Sequence, residues 1–179
     1  MEKEIFLVLT QTESIVCHMI RVYTGDEFNH ISISLSKDLE PMYSFGRRNP
    51  YNPLWGGFVM EHLHSGTFKR FPKTRSAVLA LPVSEEIYNN IRDVLDEMYR
   101  NKEQFGYDMI GLCLAAIKIE KRRDNKYYCS DFIKTILQKY KVPGSENLKS
   151  ITAPSDFLNF PGTTEIYRGL LKEYSITKK

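Results

Sequence analysis

Apolar and polar positions along the chain fall into two kinds of pattern. Strict alternation predicts half-buried strands, and a three-to-four residue recurrence predicts amphipathic helices. Glu4 to Thr10 (EIFLVLT) is a short run of strand formers and reads as a buried strand. In Phe28 to Leu35 (FNHISISL), Phe28, His30, Ser32 and Ser34 take one face and Ile31, Ile33 and Leu35 the other. After the turn-rich SKDLEP, Met42 to Gly46 (MYSFG) returns as a second strand, making a hairpin. Phe58 to Leu63 alternates weakly, and Ser76 to Val83 (SAVLALPV) is the clearest core strand.

The helical period appears elsewhere. Ser84 opens a helix carried by Ile87, Ile91, Val94, Leu95, Met98 and Tyr99, and Thr12 or Ser14 could cap another through Ile15 to Val22. Tyr107 to Ile119 is apolar throughout and predicts a buried helix containing Gly111 and Cys113. Phe132, Ile133, Ile136 and Leu137 define an amphipathic helix that stops at Val142, Pro143 and Gly144. Ile166, Tyr167, Leu170 and Leu171 predict a last helix over 165–174. Arg47 to Gly57 (RRNPYNPLWGG), dense in Pro, Asn and Gly, reads as a long irregular loop, and KSITAPSDF at 149–157 as a loop with a cap at Ser155. The sum is an α+β fold, a single domain over 1–179 whose antiparallel sheet packs against helices, without internal repeats.

On this frame one stretch stands out for chemistry, KYYCSDFIKTILQKY at 126–140. An extended aromatic approach turns into a helix at Cys129. The partial positive charge of a helix start and its unpartnered N–H groups favour a thiolate and can hold a developing oxyanion. His30 projects from the polar face of its strand, and Ser44 lies on the returning strand that could face it. Cys17 and Cys113 share faces with core residues and read as structural thiols. His62 and His64 could be two metal ligands, but no third or fourth ligand stands at suitable spacing.

Composition narrows the classes. With 25 basic and 22 acidic residues the net charge of +3 leaves no nucleic-acid footprint. Three cysteines without CxxC spacing argue against a disulfide framework. No apolar segment has the length of a membrane span, and the N-terminus lacks the features of a signal peptide, so a cytoplasmic location without membrane insertion is expected.

The residues FNHISISL, MYSFG, YDMIGL, YYCSDF and ITAPSDF, in that order, resemble the circularly permuted papain-like cysteine hydrolases of the NlpC and YiiX kind, related to the lecithin:retinol acyltransferase-like enzymes. The resemblance covers about Phe28 to Phe157. It implies a permuted papain-like fold in which Cys129 is the nucleophile and His30 its base. The orienting position falls on or beside Ser44, where the family usually carries a stronger polar group; Glu61 is the alternative. It also implies no cofactor and a small peptide, amide or acyl substrate, with a non-catalytic binding module or a lipid-directed acyltransferase as the other readings. The acyl acceptor and the oligomeric state are left open.

Overall fold

The computed structural model of this chain describes residues 2–12, 26–49, 52–116, 119 and 123–175. Eight strands form one sheet: β1 (Glu2–Gln11), β2 (His30–Ser34), β3 (Met42–Asn49), β4 (Asn52–Glu61), β5 (Arg75–Ser84), β6 (Gly106–Tyr107), β7 (Lys126–Tyr127) and β8 (Thr164–Leu170). Their order is β7-β6-β4-β3-β2-β1-β5-β8. Every neighbouring pair is antiparallel except β6 and β7, which run parallel, so the α+β architecture carries a mixed sheet and not the wholly antiparallel one expected. The α-helices are α1 (Gly66–Arg70), α2 (Glu85–Arg100), α3 (Met109–Ala116) and α4 (Cys129–Lys139).

The sheet buries both faces at its centre, which is why β1 reads as an unbroken apolar run. Ile5, Leu7 and Leu9 join Ile31, Ile33, Ile91 and Leu95 of α2, and Phe132 and Ile133 of α4 in the larger core. Phe6 and Val8, pointing the other way, pack with Val78, Leu63, Phe68 of α1 and Leu171. Burying a Leu- or Phe-sized side chain contributes about 1.5–3 kcal/mol, so the two layers together fix the sheet. Ser84 begins α2 as expected: its hydroxyl accepts the Ile87 N–H at 3.2 Å, and Glu85 and Glu86 complement the helix dipole.

Three expectations are corrected. The stretch expected as an irregular loop is, at 47–49 and 52–57, the outer part of the β3–β4 ladder, with Arg47 opposite Gly56 and a register shift before Asn49 meets Asn52. Its glycines answer close packing. A Cβ on Gly57 would lie 2.7 Å from Arg48 Nε and Phe105 O, and one on Gly56 2.8 Å from Tyr107 Cβ. The segment 165–174 is strand β8 followed by a 3-10 turn at Leu171–Glu173 and not a helix, because it pairs with the free side of β5 from Arg75 to Ala80. Ser155 caps nothing; it accepts the Phe28 N–H at 3.3 Å, and Asp156 holds the Ala153 N–H at 2.8 Å over the 3-10 helix Pro154–Asn159. The helix expected over 15–22, with Cys17, lies outside the described residues, as does the side chain of Cys113.

Candidate active site

Two parallel two-residue strands each feed a helix. Gly106 and Tyr107 of β6 align with Lys126 and Tyr127 of β7, and the Asp108 N–H donates to the Tyr127 carbonyl at 2.9 Å. Asp108 then accepts the Gly111 N–H at 2.8 Å and forms an ion pair with Arg123, pinning the start of α3. A Cβ on Gly111 would fall 2.3 Å from Asp108 Oδ2, so the YDMIG sequence is a packed cap.

The second of these helices, α4, begins at Cys129. Phe132, one turn on, lies 5.2 Å from the ring of Phe45 on β3 and 5.7 Å from that of Phe58 on β4, and these edge and tilted contacts fix where the helix start sits. Asp131 pairs with Lys134 at 3.2 Å, and the buried Lys134 ammonium also reaches the Ser150 carbonyl, tying the first turn to the loop before the 3-10 helix. Tyr128 occupies the N-cap position and supplies no side-chain cap bond. The first N–H groups of α4 therefore keep their donors for another partner.

His30 begins β2, opposite Thr10 of β1. The β2–β3 ladder covers only Ile33 with Tyr43 and Ser34 with Met42, stopping short of His30. The Cys129 side chain lies close enough to the imidazole to favour its charged form. Its Nε2 stands 3.1 Å from each of the two oxygens of Glu61, and donating there leaves Nδ1 as the basic nitrogen of the ring. Ser32, fully buried, donates to Glu61 Oε2 at 2.6 Å and lies 3.3 Å from His30 Nε2.

Charge follows from this arrangement. Burial pulls the His30 pKa down, but the Glu61 carboxylate, the nearby Cys129 side chain and the hydrogen bond to Glu61 outweigh it, and the imidazole titrates well above the ordinary histidine value. Glu61 shows the converse. Burial pushes it up, yet His30 and the Ser32 hydroxyl hold it below the usual glutamate value. Each partner therefore favours the charged form of the other, with most of both side chains covered, 14% and 11% exposed.

The structure places Cys129 beside His30, and of Ser44 and Glu61 it sets Glu61 against the imidazole. Ser44 is fully buried and its hydroxyl donates to the Ile31 carbonyl at 2.6 Å, a structural bond that bridges the two strands where their ladder is short. The orienting carboxylate is Glu61. It meets His30 beside Gly46 on the intervening strand β3: a Cβ at position 46 would stand 3.5 Å from His30 Cε1 and 3.6 Å from Glu61 Oε1. A longer side chain there would push the pair apart. The final glycine of MYSFG and the first serine of HISIS are the signals for Gly46 and Ser32.

A groove of about 100 Å³ opens at Cys129, walled by Phe28, Tyr107, Leu112, Tyr128 and Ile151, with Asp26, Asn29 and Thr152 as its polar groups. His62 donates to Glu40 Oε2 at 2.5 Å, His64 is exposed, and no group of three or more metal-type ligands occurs among the described residues. Nor is any described helix long and apolar enough to cross a membrane. No protein-family model matches the chain, and no curated protein matches it at a significant level.

Proposed function

We propose that this chain is a cysteine-dependent hydrolase on a circularly permuted papain-like fold, cleaving an amide or ester through a thioacyl intermediate. One observation carries the reading: a cysteine at the start of a helix stands beside a histidine whose Nε2 is held by a largely covered carboxylate. Nucleophile, base and orienter in that sequence are what acyl transfer needs.

The Cys129 thiol gives its proton to His30 Nδ1, and the sulfur adds to the substrate carbonyl carbon. The oxyanion that forms takes the Cys129 backbone N–H. As the intermediate collapses, the carbon–leaving-group bond breaks and the imidazolium returns its proton to the departing amine or alkoxide. Water, deprotonated by the same imidazole, then attacks the thioester and regenerates the thiol with release of the acid. Glu61 keeps the imidazole in the tautomer that exposes Nδ1 and stabilises the imidazolium. The apolar groove beside the sulfur suits a small acyl portion, in line with a small peptide, amide or acyl substrate.

Intact-mass measurement after exposure to a panel of activated acyl donors tests this. A single acyl adduct that disappears with Cys129→Ala is the expected result; unmodified wild-type protein across the panel would end the proposal.

A second reading, a binding module without turnover, draws support from the sulfur's cover, since Cys129 is only 4% exposed. Alkylation separates the two. In the enzyme, His30→Ala slows iodoacetamide labelling of Cys129 at neutral pH by at least about tenfold, whereas a passive thiol labels as an ordinary cysteine in both proteins.

A further inference from the structure

A larger cavity lies away from Cys129. At about 370 Å³ it exceeds the groove at the sulfur more than threefold, and it runs along β4 between α1 and the 3-10 turn Lys102–Gln104. That size falls within the range of small-molecule sites. Two features of its wall are unusual for a solvated surface. Trp55 and Tyr99 both line it while 55% and 38% exposed, and large exposed aromatics gathered in one concavity offer stacking platforms.

The second feature is cationic. The Lys102 ammonium stands 4.8 Å above the Tyr99 ring with no carboxylate bonded to it. Arg48 spends its terminal nitrogens on Glu103 at 2.6 Å and on the Lys102 and Phe105 carbonyls, but its Nε is buried without a partner. Arg47 adds a third positive group. The two acids on the wall are already engaged, Glu103 with Arg48 and Glu61 with His30, so the remaining charge is positive.

We propose that this cavity is a second binding site, for an organic anion with a flat aromatic body: the ring stacks on Trp55 and Tyr99 while the carboxylate or phosphate meets Lys102. The site is separate from the Cys129 groove and does not depend on the hydrolase reading. Glu61 belongs to its wall, so the ligand sits against the back of the carboxylate that orients His30.

Trp55 is the chain's single tryptophan, so its fluorescence reports this cavity alone. Full-length protein is titrated with phenyl phosphate, 2-naphthoate, inorganic phosphate and the neutral 2-naphthamide. Saturable quenching by the aromatic anions is expected, with at least about tenfold weaker response to the amide and to inorganic phosphate. Lys102→Ala should weaken the anions about tenfold, and Cys129→Ala should leave them unchanged. Quenching that does not saturate, that is equal for naphthoate and naphthamide, or that survives Lys102→Glu at full strength would overturn the proposal. Loss of the signal in Cys129→Ala would overturn its separateness from the groove.

Discussion

Helices α2 and α4 begin in opposite ways. At α2 a serine closes the first turn on itself: Ser84 takes the Ile87 N–H, and Glu85 and Glu86 add charge of the right sign. At α4 the cap position holds Tyr128, whose side chain bonds no helix donor, and the first residue inside is Cys129. A cap such as that of Ser84 contributes about 1 kcal/mol, and α4 forgoes it. The missing stability comes from behind, through Phe132 against Phe45 and Phe58 and through Lys134 to Ser150. One start is finished by its own sequence and serves stability. The other is held in place by tertiary contacts and stands at the edge of a groove.

The sharpest break of this contrast is Glu61→Gln, which leaves both helices intact and alters only what faces Cys129. Without the carboxylate the imidazolium loses its main support and the wrong tautomer becomes accessible, so acyl transfer should fall roughly 10²–10⁴-fold. Its pH dependence has a definite sign. The raised His30 value means that the pair's stabilisation is present below the ordinary histidine value and is lost only as pH rises through the higher folded one. The lowered Glu61 value means it is present above the ordinary glutamate value and is lost as pH falls through the lower folded one. The wild type's melting-temperature advantage over Glu61→Gln should therefore be widest between those limits and shrink at both ends. The acid limb of the rate profile, set by His30 as the base, should move down toward ordinary histidine in the variant. An unmoved limb would separate Glu61 from the base.

Phe132→Ala attacks the support behind α4. Removing a buried Phe ring from a packed core costs about 3–5 kcal/mol, which denaturant unfolding would measure. It should also cut acylation of the protein that remains folded, because the helix start no longer has its aromatic backstop. A variant destabilised by that amount yet fully reactive would show that α4 is positioned by other contacts.

How much of this was legible depended on whether a property was local. The alternation of FNHISISL and the period of Ser84 to Arg100 are written in neighbouring residues, and so is the cysteine before a helical face. Between Arg47 and Gly57 composition misled, since the glycines that look like loop residues are demanded by Arg48, Phe105 and Tyr107 arriving from elsewhere. Glu165 to Tyr174 fits either period; the free side of β5 decides for a strand. Choosing Ser44 over Glu61 was a failure of the same kind. Adjacency of strands suggested the serine, whereas the outcome depends on register over three strands and on a missing side chain at Gly46.

The smallest effect sharpens the contrast from the other side. Ser84→Ala removes the hydroxyl that receives the Ile87 N–H, and a lost cap costs about 0.5–2 kcal/mol. For a chain of this size that is a few degrees in melting temperature. Ser84 ends β5 and pairs with Glu2, on the opposite side of the sheet order from β4 and its Glu61, so the alkylation rate of Cys129 and its pH dependence should not move. If the thiol's reactivity changed together with stability, the two helix starts would be coupled through the common core, and the division between a start that stabilises and a start that reacts would fail.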